Sequence, residues 1–291
     1  MNITIVGLGL IGGSLAIDLR ARKFGSEFWG VDSNEHHASK AQELGLVDNI
    51  VDLEHLFMAD LVVLAIPVDQ ARNLLPKIMQ NINSQAVVVD IGSTKQGICQ
   101  IADQLPNRDQ YVASHPISGT ENVGPEAAIA NLFRGNVTII CDQEKCRNSA
   151  LELIRAMYKT LGMKVIYMDP KDHDLHIAYV SHLSHISSFT LGLTVLEIEK
   201  NEKNIFNMAG SGFASTVRLA KSSADMWVPI FEQNASNLSK ALQTYIDNLI
   251  HFKKLIDHLD KTAMFRIIHQ SNEIRRVLDG IELKEKANNG S

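Results

Sequence analysis

The chain has 291 residues, enough for one large or two ordinary domains, and its 45% apolar and 21% charged content is that of an ordinary globular protein. A net charge of −5 argues against general affinity for nucleic acid or for an anionic membrane surface. There is no membrane-length apolar run and no targeting signal, and Cys99, Cys141 and Cys146 form neither a disulfide framework nor a zinc pattern, so a reduced, cytoplasmic protein is expected.

Residues 3–6 read as a buried parallel strand. Gly7-Leu8-Gly9-Leu10-Ile11-Gly12 follows at once, and residues 13–22 have helical composition. Strand, GxGxxG and helix in succession are the context of a dinucleotide-binding turn. The first glycine permits the tight turn, the second lets backbone approach a pyrophosphate, and the third lets the helix pack against the strand. The helix N-terminus then faces the anion. Gly7, Gly9, Leu10, Ile11 and Gly12 are therefore candidate cofactor contacts. A second strand at 27–31 ends in Asp32, 20 residues after Gly12. A carboxylate there accepts from ribose hydroxyls and repels a 2′-phosphate. No Lys or Arg follows until Lys40, so NAD is favoured over NADP.

Further strands are expected at 61–66, 86–91, 111–114, 137–141 and 164–167, separated by helical spacers. That alternation predicts an α/β fold with a doubly wound, mostly parallel sheet. Pro116 is expected to stop the strand at 111–114 beside His115. The imidazole would then lie at a strand's carboxyl end, where open α/β sheets bind their ligands. Histidine is also the side chain best matched to moving a proton near neutral pH. After Gly92, the run Ser93-Thr94-Lys95 is expected to bring a hydroxyl and a cation near the nicotinamide end, with Ser93 reading equally as a helix N-cap.

Beyond Asp169-Pro170 no β-rich run appears, and residues 172–200 read as one long helix carrying His173, His176, His182 and His185. His182 and His185 are neighbours on one face. Carboxylate partners at ligand spacing are lacking, so no metal is expected, and a substrate role for at least one of these histidines is. Gly210-Ser211-Gly212-Phe213, a small-residue segment and then Arg218 suggest a close-packed turn that delivers a guanidinium to a carboxylate. Leu238, Leu242, Tyr245, Leu249, Phe252, Ile256 and Leu259 follow a heptad spacing. Ala241, Ile246, Ile250 and Leu255 widen that seam, which calls for cover on more than one side and suggests a homodimer interface. Met264, Ile267, Ser271, Ile274 and Leu278 predict a last amphipathic helix, stopped by Gly280. The expected organisation is a dinucleotide-binding domain at 1–168, a helical substrate and dimerisation domain at 169–283, and a disordered tail at 284–291.

Taken together, the segment from His115 to Glu121 (His-Pro-Ile-Ser-Gly-Thr-Glu), the run from Ser181 to His185 (Ser-His-Leu-Ser-His) and Gly210-Ser-Gly-Phe213 with Arg218 resemble the prephenate dehydrogenase family. The similarity runs from the glycine loop to about Gly280. It implies a Rossmann-type domain joined to an all-helical domain that dimerises. It also implies oxidative decarboxylation of prephenate to 4-hydroxyphenylpyruvate, with NAD accepting the hydride. Carried over by position, His115 matches the histidine that takes up the proton of the C4 hydroxyl, and Ser93 the serine beside it. Arg218 matches the arginine that binds a substrate carboxylate and His185 a substrate-contacting histidine, and His182, its neighbour on the same face, is also expected to contact the substrate. Glu121 matches an acidic residue of the ionic network around that arginine, and Trp227 a tryptophan near the pocket. Two departures stand out. Many relatives have an aspartate and a second arginine in the segment where this chain has Ala214 and Ser215, and the familiar Ser-His-Leu-Pro-His has Ser184 in place of proline.

Three rivals are weighed. An arogenate dehydrogenase runs the same reaction on the amino analogue. The β-hydroxyacid dehydrogenases resemble one another in using a lysine on the long helix, but no lysine lies between Lys171 and Lys200. An NAD-binding regulator without catalysis would have no need of His115, Ser93 and Arg218.

Overall fold

The computed structural model describes residues 1–200, 202 and 204–281. Eight strands, β1 (Asn2–Val6), β2 (Glu27–Val31), β3 (Asn49–Ile50), β4 (Leu61–Leu64), β5 (Val87–Asp90), β6 (Tyr111–Pro116), β7 (Val137–Cys141) and β8 (Lys164–Met168), form one sheet in the order β3-β2-β1-β4-β5-β6-β7-β8. Every neighbouring pair is parallel except β6 and β7. Strands β4 and β5 read Leu-Val-Val-Leu and Val-Val-Val-Asp and are buried along their whole length, as strands covered on both faces must be. Their side chains alternate between two apolar layers. Leu61, Val63, Val87 and Val89 join α1 (Leu10–Ala21), with α2 (Glu35–Glu43) also contributing to that layer. Val62, Leu64 and Val88 join α3 (Val68–Asn81) and α4 (Gln96–Ala102). Helix α5 (Asn148–Thr160) packs Ile154, Met157 and Tyr158 into the first layer. The strand order reverses between β1 and β4, which opens a crevice at the carboxyl ends.

All seven expected strands form, and the two-residue β3 is too short to leave a pattern. One expectation is corrected. β6 does not stop at His115: His115 pairs with Ile139, Pro116 pairs with Thr138, and the Ile117 N–H continues to the Val137 carbonyl at 2.8 Å. Backbone donors alternate sides along a strand, so the donor that Pro116 lacks belongs on the side of β5. The β5 pairing has already ended there, at Asp90 opposite Ala113. The proline therefore costs the ladder nothing.

From Pro170 onward the described elements are helical. They are α6 (Pro170–Ile177), α7 (Leu183–Glu199), α8 (Ser211–Val217), α9 (Ala224–Gln233), α10 (Ala235–Asp257) and α11 (Lys261–Ser271). Asp169 caps α6 by accepting from the Lys171 and Asp172 N–H groups, with Pro170 in the first turn where no donor is needed. The single long helix expected at 172–200 is interrupted by a π turn at Ala178–His182. The expected close-packed turn at Gly210 is instead the start of α8. It is not close-packed, because a Cβ at Gly210 or Gly212 would meet nothing within 4 Å. Gly280 does not stop the last helix, since helical conformation runs on to Ile281 after a 3₁₀ turn at Asn272–Ile274. The tail at 284–291 lies outside the described residues.

The chain divides into two compact units, one from Met1 to Ala235 and one beginning at Ser236. In the second, Leu249, Ile256, Leu259 and Phe265 are exposed apolar side chains. No helix among the described residues is long and apolar enough to cross a membrane.

Candidate active site

Within the first unit a cleft of roughly 710 Å³ opens at the carboxyl edge of the sheet. One end is built by the glycine loop. Gly7 has φ 98°, and a Cβ there would come within 2.4 Å of the Ala65 carbonyl oxygen. A Cβ on Gly12 would lie 2.0 Å from the Gly7 carbonyl oxygen. Both positions are closed to any side chain. Gly9 is different, because a Cβ there would meet nothing within 4 Å, and Gly9, Leu10 and Ile11 face the cleft. This is a loop pressed against its own fold on one side and left bare on the other, at the N-terminus of the twelve-residue α1. Such a cradle fits a dinucleotide pyrophosphate. Asp32 braces it, with one carboxylate oxygen accepting from the Leu8 N–H at 2.8 Å and the other from the Asn34 N–H at 2.9 Å. Each oxygen keeps a lone pair for a ribose hydroxyl.

His115 lines the other end, almost wholly buried. Its Nδ1 lies 2.9 Å from Nε2 of His173. His173 Nδ1 in turn lies 2.8 Å from the Asp174 carboxylate. That carboxylate also accepts the Lys95 and Gln96 N–H groups at 2.8 and 2.9 Å, and so caps α4 from outside the helix. Ser93 is therefore not the N-cap of α4, and it lines the cleft instead. Lys95 does not face the nicotinamide end as expected. It is fully buried, its ammonium paired with Asp90 and donating to the Ser114 carbonyl at 2.7 Å. A buried carboxylate with two neutral donors (Gly92 N–H and Tyr111 O–H) draws the Lys95 ammonium inward. Burial, then His173, Lys95 and His182, push the His115 imidazole well below the ordinary histidine range.

The helices supply the remaining wall. His185 stacks on Trp227 with centroids 3.5 Å apart, and its Nδ1 donates to the Ser181 carbonyl at 3.0 Å, leaving Nε2 to a ligand. The Trp227 indole N–H is buried and has no partner among the described residues. Arg218, in the turn after α8, lines the cleft and pairs with Glu121 at 3.1 Å. Ala214 and Ser215 are exposed, and the Ser215 hydroxyl turns back to the Gly212 carbonyl. His182 does not line the cleft. It is fully buried, edge-on to Trp227 and Phe231, and burial pushes its pKa down to about 4. The expected direct substrate contact is therefore withdrawn for His182, which acts as packing behind His185.

Sequence reasoning named His173 only as one of four helix histidines, and it missed Asp174 and Asn234, whose amide donates to the Asp174 carbonyl at 2.6 Å. Adjacent helical residues do not normally face each other, so nothing in the spacing pairs His173 with Asp174. No sequence signal marked the cap, because Ser93 offered a local N-cap that the structure does not use.

A sheet reversing at β1 and β4, a bare glycine loop and a buried histidine across the cleft define a dinucleotide-dependent oxidoreductase. The chain belongs to the prephenate dehydrogenase family: residues 15–167 match its nucleotide-binding domain and residues 169–270 its dimerization domain. It is 29% identical over 289 residues to the prephenate dehydrogenase of Bacillus subtilis, covering 98% of this chain and 77% of that one. A crystal structure of prephenate dehydrogenase from A. aeolicus in complex with hydroxyphenyl propionate and NAD+ superposes with a TM-score of 0.81 at 31% identity, over 99% of this chain and 98% of that one. The arogenate dehydrogenase of Synechocystis does so with a TM-score of 0.74 at 29% identity, over 96% and 100%.

Proposed function

We propose that this chain is an NAD-dependent prephenate dehydrogenase of tyrosine biosynthesis, converting prephenate to 4-hydroxyphenylpyruvate and carbon dioxide. The observation that carries the reading is one cleft that holds the bare glycine loop at one end and His115, Ser93 and Arg218 at the other. Gly7, Gly9, Leu10, Ile11 and Gly12 would hold the pyrophosphate and Asp32 the adenosine ribose. When bound, NAD supplies the acceptor for the C4 hydride.

The chain's own residues do the rest. Arg218, steadied by Glu121, offers a guanidinium to one of the two substrate carboxylates. The His185 Nε2 is a further polar group for the substrate. With Nδ1 engaged by His173, Nε2 of His115 is the atom left to take the C4 hydroxyl proton. As the carbon–carbon bond to the ring carboxylate breaks, its electron pair makes the ring aromatic, and His115 returns the proton to the same oxygen. No net proton is released. Ser93 orients that hydroxyl.

The domain division at 168/169, a homodimer built through the helical half and a cytoplasmic location complete the reading. The dimer is supported by the match to a dimerization domain and by the exposed apolar seam of α10. A preference for arogenate is the second reading, favoured by the likeness to the Synechocystis enzyme. Comparing kcat/KM for the two substrates tests the choice, and a higher value for arogenate would overturn it. Arg218→Ala should raise KM for prephenate at least about tenfold, the loss of a charge-assisted pair. A normal KM would show that another group holds the carboxylate.

A further inference from the structure

His115, His173 and Asp174 form a chain of ring nitrogens and one carboxylate whose proton positions are dictated from its buried end. Asp174 has 2% of its surface exposed and accepts two backbone N–H groups from α4. A carboxylate so held is an acceptor only, so the His173 nitrogen 2.8 Å away must carry hydrogen. Burial disfavours an imidazolium at His173 and holds it below the ordinary histidine range despite Asp174, and the neutral ring has only one hydrogen, the one it gives to Asp174. Its Nε2 is then a lone pair, and the His115 Nδ1 2.9 Å away must be the donor. The charged and titratable groups around this pair are Lys95, Asp90 and Asp174, with His182 on the π turn. Lys95 and Asp90 satisfy each other.

We infer that Asp174 and His173 are positioning residues that lock His115 in its Nδ1–H tautomer, so that Nε2 faces the cleft as the proton acceptor. The imidazolium formed on proton uptake keeps its Nδ1–H donating to His173, with the Asp174 carboxylate one ring further on. This rests on the proposed role of His115. It adds two residues that do not line the cleft. It also ties the base to the cap of α4, so the turn carrying Ser93 and the histidine opposite it share one anchor.

The test is ¹⁵N NMR of histidine-labelled intact protein, with His115 assigned by its loss in His115→Asn, alongside steady-state kinetics. Wild type should show His115 protonated at Nδ1 and bare at Nε2. In Asp174→Asn the amide can donate to His173, reversing both rings, so the His115 tautomer should shift toward Nε2–H. There kcat should fall by about 10²-fold or more while KM changes little, the pattern of a misassigned tautomer. His173→Gln keeps an oxygen to accept from His115 and should stay within about tenfold of wild type, whereas His173→Leu should not. Gln and Leu variants of equal activity, or a wild-type His115 already protonated at Nε2, would overturn the inference. Failure of the wild type to turn over prephenate would sink the functional reading alone, because the tautomer is read without substrate.

Discussion

His115 is a base made ready by its surroundings. Burial and the neighbouring His173, Lys95 and His182 all disfavour the imidazolium, so its pKa lies well below 6.5. A base works when unprotonated, so kcat/KM should fall only as pH drops through this depressed value and stay flat from pH 6.5 to 8. A pH profile of kcat/KM checks this, and activity still climbing between pH 7 and 8 would contradict it. His115 was legible in the sequence because Pro116 and the family motif mark it. Lys95 was misread because a sequence shows a cation and not the carboxylate it pairs with. The partner, Asp90, is the last residue of a strand that otherwise reads as pure core.

The glycine loop and the helical wall show what patterning conveys at the scale of an element. Gly7, Gly9 and Gly12 are equivalent in a motif but not in space. Gly7→Ala should destabilise the fold, because its φ of 98° and the Ala65 carbonyl both oppose a side chain. Gly9→Ala should leave Tm unchanged and raise KM for NAD at least about tenfold, since the new methyl meets only the cofactor. Thermal melts and NAD titrations of both variants distinguish them, and equal Tm losses would count against this account of the loop. The strands were readable because parallel, doubly covered strands are continuous apolar runs. The π turn at Ala178–His182 was not, because a wide turn changes hydrogen-bond register without changing composition. It lies just ahead of His185, and the fully buried His182 within it is the position that helical spacing misassigned.

At the scale of the molecule, the second unit leaves several large apolar side chains exposed. Leu249 and Ile256 of α10 are half exposed, and Phe265 of α11 is 67% exposed. The heptad seam includes Leu249 and Ile256 but not Phe265, and the proposed dimer would cover this surface with a second copy of the chain. Light scattering should give a dimer mass, and Leu249→Asp should weaken dimerisation by at least about tenfold. A monomer at micromolar concentration would contradict the assembly. The substrate was legible only through resemblance, because one guanidinium and one histidine suit many carboxylates.

The most direct measurement of the central claim is the stoichiometry of NADH and carbon dioxide formed from prephenate and NAD by the intact protein. One of each per prephenate is predicted, with kcat reduced about 10²–10⁴-fold in His115→Asn and NAD binding retained. No NADH from prephenate, or an unchanged kcat in that variant, would contradict the assignment of this cleft to this chemistry.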